Sequence, residues 1–258
     1  MAEKKKKAPV VDLKELHARA KEIGKKFDLA PVTLGKGGYV KGAVSTGALA
    51  IDLVTGGGLA PGRFATVAGP SMSGKSTLTY QSVVNANLNG IPAFYLDHET
   101  SADPKYMTAL GIDLKEASGE GLFLYSPATT AENTYKYMHQ MMDIFPDKNT
   151  SAFAPPQAVF IIDSFAAMIP DSVDEDPDKN MQMAAMAKIH AWGMPLIKSK
   201  LHKKNITLLG TNQIRKKPGI AYGNPEYEPG GEALTFYADL KLQARGKGKP
   251  ELERGRSM

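Results

Sequence analysis

From residue 64 onward, short, mainly apolar runs alternate with longer stretches of helical spacing. FATVAG (64–69), PAFYLD (92–97), GLFLYS (121–126), AVFIIDS (158–164) and ITLLGTNQI (206–214) read as strands, and ALTFYADLKLQAR (233–245) supplies one or two more. Residues 75–90, closed by Gly90, and residues 104–111, 131–145 and 182–204 read as helices. The last of these is expected to be interrupted near Pro195, because proline lacks the N–H that an inner turn needs. A strand with no polar face has no side to turn to water. Alternation of such strands with helices predicts an α/β fold whose mostly parallel sheet is covered on both faces. No internal repeat is visible.

The pattern upstream is different. Leu13, Leu16, Ala20, Ile23 and Phe27 fall on one face of a helix over 12–27, with Asp12 as its N-cap. The glycine-rich LGKGGYVKG that follows reads as a linker. The expected organisation is an arm, helix and linker over 1–44 and a core over 45–258. An apolar stripe ahead of a linker needs a surface to cover it, and a neighbouring protomer is the expected one.

Composition narrows the classes. The 258 residues suit one large domain, and 42% hydrophobic content affords a sizeable core. There is no cysteine, which excludes disulfides and thiolate metal sites. No apolar run approaches the roughly 20 residues of a membrane helix. The basic N-terminus lacks the apolar stretch of a signal peptide. A cytoplasmic protein with no membrane partner is the expectation. The formal net charge of +5 fits either a dispersed soluble protein or one with a polyanionic partner.

The chemistry concentrates in GPSMSGKST, residues 69–77. Gly69, four residues, then Gly74-Lys75-Ser76 follow a predicted strand and open a predicted helix, which is the setting of a phosphate-binding P-loop. Glycines let the backbone curl so that its N–H groups converge on an anion, and the helix N-terminus adds positive potential. The cradle is Gly69, Pro70, Ser71, Met72, Ser73, Gly74, Lys75, Ser76 and Thr77. Lys75 reaches the β- and γ-phosphates of ATP, and the Ser76 hydroxyl holds Mg2+. Asp163 ends another apolar strand, so its carboxylate arrives at the edge where ligands bind and joins Ser76 at the metal. Hydrolysis also needs a group that activates water. In YLDHETSADP the leading candidate is Glu99, with Asp97 and Asp103 competing, although each of the three would also serve as a cap.

These pieces together resemble the RecA recombinase family of bacteria and phages. VSTGALAIDLVTGGGLAPGR is similar to the stretch before that family's P-loop, LDHETSADPKY to its catalytic-glutamate segment, and IIDSFAAMIP to its metal-binding strand. TNQIRKKPGIAYGNPEYEPGGEALTFYAD resembles its second DNA-binding loop with flanking strands, and the likeness runs from about residue 12 to 245. It implies a RecA-like ATPase core in which Lys75, Glu99 and Gln213 are catalytic. Glu99 would activate the attacking water. Tyr106 would stack on adenine, with Asp103 bonding its amino group. Gln213 would sense the γ-phosphate and pass its presence to residues 214–231. A first DNA loop would span about 171–183.

The residues of the second loop agree in part. IRKKPGIAYGNPEYEPGG is too rich in Gly and Pro for a packed helix or central strand. Basic Arg215, Lys216 and Lys217 can neutralise phosphates, and Ile220 and Tyr222 can contact bases, as an ordinary basic surface loop would also look. With the resemblance, Asn224, Glu226, Gly230 and Gly231 join the expected DNA contacts. The first loop, DSVDEDPDKNMQM, is strongly acidic, which moves its expected contacts to Met183 and Lys188. Pro195 stands where the bacterial protein has a basic residue. Family members continue past this point with strands that bring lysines to the neighbour's ATP, whereas this sequence ends in GKGKPELERGRSM. Slow hydrolysis with weak DNA stimulation is therefore expected.

Other features read as structure. Trp192 and the methionines of 181–194 are expected to pack, the five histidines show no ligand spacing, and the lysines at 4–7 form a solvated arm. The expected function is a DNA-dependent ATPase that coats single-stranded DNA as a helical homo-oligomer, then engages double-stranded DNA for homologous pairing. The rivals are a ring-forming P-loop helicase and an ATP-binding DNA scaffold with little turnover.

Overall fold

The computed structural model describes residues 19, 22, 42–114, 121–127, 129–147, 154–174, 179–216 and 226–245. The chain divides into two units, Met1–Gly38 and Tyr39–Met258. In the first, Arg19 and Glu22 are helical, and the rest of the expected N-terminal helix lies outside the described residues.

The second unit carries a six-stranded sheet. Its strands are β1 (Phe64–Gly69), β2 (Ala93–Asp97), β3 (Phe123–Pro127), β4 (Val159–Asp163), β5 (Thr207–Gln213) and, after a short hairpin of β6 (Arg215–Lys216) and β7 (Glu226–Tyr227), β8 (Leu240–Gln243). The order across the sheet is β3-β2-β4-β5-β1-β8, and every pair in it is parallel. Five of the strands were legible as apolar runs, and β1, β2 and β4 are buried along their whole length. Alternate residues of one strand pack on opposite layers. Ala65, Val67, Tyr95, Val159, Ile161 and Leu209 face α2 (Lys75–Leu88) and α3 (Pro104–Leu110). Phe64, Phe94, Leu96, Phe160, Ile162 and Leu208 face α4 (Ala131–Asp143), α5 (Lys179–Lys204) and α6 (Glu232–Tyr237). Among the described residues, no helix is long and apolar enough to cross a membrane.

Four local expectations need correction. A helix, α1 (Leu49–Thr55), precedes β1 where none was read. It is organised by Asp52, which accepts hydrogen bonds from Ser45 Oγ at 2.6 Å, Thr46 N at 2.9 Å and Thr46 Oγ1 at 2.7 Å. Pro195 does not interrupt α5, which runs unbroken through it. Proline in a helix interior costs about 3 kcal/mol. Burial of Met186, His190, Met194, Ile197 and Leu201 on one stripe spanning the proline offsets that cost. Trp192 and Met183 are 53% and 51% exposed: Trp192 falls on the side of the helix away from that stripe, whereas Met183 lies on its line but in the first turns of α5, ahead of its first buried residue, Met186. Finally, ALTFY, read with the strand run, is the helix α6, so 233–245 supplies one strand, within the one or two expected. Its Leu234 is buried in the core cluster that α5 also covers.

Candidate functional site

Four adjacent strands, β2, β4, β5 and β1, end side by side. Their last residues pair in register as Asp97 with Asp163 and Gly69 with Gln213. Ligands in parallel sheets bind beyond these carboxyl ends.

The loop after β1 turns immediately into α2. Gly74 caps that helix in the left-handed region at φ 86°, where a Cβ would be strained, and Lys75 is the first helical residue. The Lys75 side chain is 8% exposed and folds back so that Nζ donates to Pro70 O at 2.8 Å. Ser73 Oγ donates to the same carbonyl at 2.9 Å. Gly69 cannot be larger: a Cβ there would lie 2.6 Å from Ala244 O. Residues 70–74 thus form a curled loop between β1 and α2, with the Lys75 ammonium held inside it. Met72, at its tip, is fully exposed with φ 59°.

Glu99 is half-buried just past β2. Its Oε1 accepts from Ser164 Oγ at 2.6 Å and from Gln213 Nε2 at 3.3 Å. Three strand ends therefore converge on one carboxylate. Asp97 is engaged differently. It is 1% exposed and accepts from Glu99 N at 3.0 Å, Ala102 N at 3.1 Å and Tyr125 OH at 3.0 Å. Asp103 caps α3, accepting from Lys105 N at 2.9 Å and Tyr106 N at 3.4 Å. Of the three acidic candidates, Asp97 is absorbed in shaping the loop and Asp103 in capping a helix. Tyr106 lies beside the phosphate loop, its OH 2.9 Å from Thr77 Oγ1.

Asp163 is 1% exposed and belongs to a buried polar line that sequence reasoning missed. Tyr95 OH donates to Oδ2 at 2.6 Å, and Thr211 Oγ1 donates to Oδ1. Thr79 Oγ1 lies 3.1 Å from Tyr95 OH and 2.8 Å from Ser76 O, and because Tyr95 gives its proton to Asp163, Thr79 is the donor in its contact with Tyr95. Burial, then the charge of Asp163 and the neighbouring Tyr80, pushes the Tyr95 phenol far above its ordinary range, so it remains a donor. Burial also pushes Tyr80 and Tyr125 up to about 12. The one sequence signal was period-two placement: Tyr95, Asp97, Asp163 and Thr211 share a face once the strand order is known.

The expected DNA residues are brought together only in part. Arg215 is exposed and pairs with Tyr227, and Lys216 pairs with Glu226, in the β6–β7 hairpin. Glu226 faces Arg245 at 3.6 Å. Gly230 and Gly231, at φ 99° and 79°, seat the end of the loop on α5, against His190 and Ala187 respectively. Asn212 Nδ2 donates to Pro229 O at 3.1 Å and anchors that end to β5. Met183 and Lys188 are exposed on α5 but five residues apart, hence on different sides of the helix. Lys217, Ile220, Tyr222 and Asn224 lie outside the described residues. Below Gly230, His190 Nδ1 bonds Tyr135 OH at 2.8 Å, and burial lowers His190 and His98 from 6.5 to about 4.

Comparison with known proteins decides the family. The RecA N-terminal domain family matches residues 14–255. The chain belongs to the RecA family. It is 34% identical over 206 residues to Protein RecA of Aquifex aeolicus, covering 80% of this chain and 55% of that protein. Protein RecA of Synechococcus elongatus is 35% identical over 202 residues, covering 78% and 52%. That of Trichodesmium erythraeum is 32% identical over 222 residues, covering 83% and 57%. The chain thus spans about half the length of the RecA proteins it matches.

Proposed function

We propose that this RecA-family chain is the ATPase core of a recombinase that coats single-stranded DNA as a filament and then engages double-stranded DNA for pairing and strand exchange. Residues 1–44 serve as the subunit-packing arm and 45–258 as the core. The observation that carries the reading is the hydrogen bond between Gln213 and Glu99, because Gln213 ends β5 and the segment 214–231 begins at the next residue. Ile214 N also bonds Gly69 O at 3.2 Å, so that segment starts at the phosphate loop. A group at the loop therefore meets, within one residue, both a carboxylate and the root of the basic hairpin.

The donor set suits Mg·ATP. Curled backbone and a buried ammonium match phosphate, and a hydroxyl with a carboxylate matches a hard divalent cation. Ser76 and Asp163 would hold Mg2+, which when bound neutralises phosphate charge. Lys75 binds the β- and γ-phosphates, Tyr106 and Asp103 take the adenine, and Glu99 accepts the proton of the attacking water. Gln213 reports the γ-phosphate. Arg215, Lys216 and Lys217 neutralise DNA phosphates, and Ile220 and Tyr222 contact bases.

The test is anisotropy of a labelled single-stranded oligonucleotide with a non-hydrolysable ATP analogue or ADP. The analogue should tighten binding by about 5–150-fold, the usual span of coupling between two sites. Gln213→Ala should erase the difference while still binding nucleotide. Equal affinity with both nucleotides in the parent protein would refute the reading.

A further inference from the structure

The Asp163 carboxylate is gripped at both oxygens by hydroxyls, and one of those hydroxyls leads to α2. The line runs from Asp163 Oδ2 to Tyr95 OH at 2.6 Å and on to Thr79 Oγ1 of α2 at 3.1 Å, where Thr79 is the donor because the Tyr95 proton is given to Asp163. Tyr95, Thr79 and Asp163 are each at most 1% exposed, so water does not compete for these contacts. The Tyr95 ring is fixed on both sides, stacking on Tyr80 at 5.2 Å and on Tyr125 at 6.5 Å. Ring and hydroxyl do separate things. The ring supplies packing that phenylalanine would supply equally. The hydroxyl spans the gap between β4, which carries Asp163, and α2, which carries Ser76.

We propose that Tyr95 is a positioning residue that fixes the Asp163 carboxylate and, through Thr79, ties it to α2, the helix that carries Ser76, so that Asp163 and the Ser76 hydroxyl are presented to a divalent cation as one rigid pair. The inference rests on the reading that Ser76 and Asp163 hold Mg2+. Its physical content is preorganisation. With Thr211 on Oδ1 and Tyr95 on Oδ2, the carboxylate cannot rotate about Cβ–Cγ without breaking two buried hydrogen bonds. Each oxygen keeps one further lone pair, and both are aimed by the protein. Partners that orient a ligand in this way typically contribute about 10–100-fold to metal affinity.

The readout is the Mg2+ concentration that half-saturates binding of a fluorescent ADP analogue, with binding in EDTA and the melting temperature in EDTA measured alongside. Tyr95→Phe should raise the magnesium midpoint by about tenfold or more, as loss of an orienting partner does. Its affinity for the analogue in EDTA should match the parent, since the phosphate loop itself is untouched. Thr79→Val should shift the midpoint in the same direction, and Thr79→Ser, which restores the hydroxyl, should bring it back. A purely structural role for Tyr95 would move the melting temperature and the affinity in EDTA together and leave the midpoint where it was. Asp163→Asn is the control on the underlying reading. If Asp163→Asn raises the midpoint and Tyr95→Phe does not, the inference is wrong and the cation reading stands. If neither variant moves it, both are wrong. Should Tyr95→Phe fail to fold, the Thr79→Val and Thr79→Ser pair decides alone, and equal midpoints in those two overturn the proposal.

Discussion

Glu99→Gln separates chemistry from structure at this site. The substitution keeps shape, and the amide oxygen can still accept from Ser164 Oγ and Gln213 Nε2, the two groups that hold Glu99 at 2.6 and 3.3 Å. Stability should therefore change by less than about 0.5 kcal/mol. What is lost is the base that the proposed function assigns to Glu99. A positioned general base contributes about 10²–10⁴ in rate. At about 1.4 kcal/mol per tenfold, that is about 3–5 kcal/mol of barrier. Asp97→Asn should give the opposite signature. Asp97 accepts from two backbone N–H groups and Tyr125 OH, and an amide turns an NH2 toward at least one of these donors. A buried donor left unmet costs about 1–3 kcal/mol. In a domain of this size that lowers Tm by about 2–4 °C per kcal/mol. The assay is phosphate release at saturating ATP and Mg2+ with single-stranded DNA, beside a thermal melt and nucleotide affinity. Glu99→Gln should lose at least about 100-fold in turnover at an unchanged Tm. Turnover within tenfold of the parent, or an equal rate loss in an Asp97→Asn protein of parental Tm, would refute the assignment.

Three further outcomes follow from particular contacts. Gly210→Ala places a Cβ 2.1 Å from Cε2 of Phe165, a ring pinned edge-on by Phe64 and His190, and should destabilise by about 1–3 kcal/mol in urea melts; an unchanged midpoint contradicts the packing. His98 and His190 are held neutral, from 6.5 down to about 4, so the unfolded chain binds protons first as pH falls. Stability should be full above 6.5 and be lost toward pH 4, by on the order of 3 kcal/mol per histidine, and His190→Gln should flatten that fall. Parallel slopes in parent and variant would contradict it. Arg215→Ala should weaken single-strand binding and flatten its salt dependence by up to ~0.7 in log–log slope, and an unchanged slope would remove Arg215 from the phosphate contacts.

The sheet was legible because five of its strands are short, mainly apolar runs set between helical stretches, and the phosphate loop because its spacing sits between a strand and a helix. What escaped had specific causes. Helix α1 buries none of its residues, and Leu49, Leu53 and Val54 are 74%, 65% and 81% exposed, so no amphipathic stripe announces it. The unbroken course of α5 through Pro195 depends on tertiary burial, which local propensity does not contain. Tyr95 reads as an ordinary core aromatic. Its role at Asp163 appears only when β2 and β4 are known to be neighbours in a given register, with Asp97 opposite Asp163. The distinction among Glu99, Asp97 and Asp103 was likewise a matter of which backbone N–H groups each carboxylate meets, and spacing alone left it open.

The central claim is that nucleotide at the phosphate loop drives this chain onto single-stranded DNA as a filament. The most direct measurement is negative-stain electron microscopy of the protein with single-stranded DNA and a non-hydrolysable ATP analogue, beside the same mixture with ADP. The account predicts continuous helical filaments with the analogue and their loss with ADP. Closed rings, or bare DNA under both conditions, would contradict it.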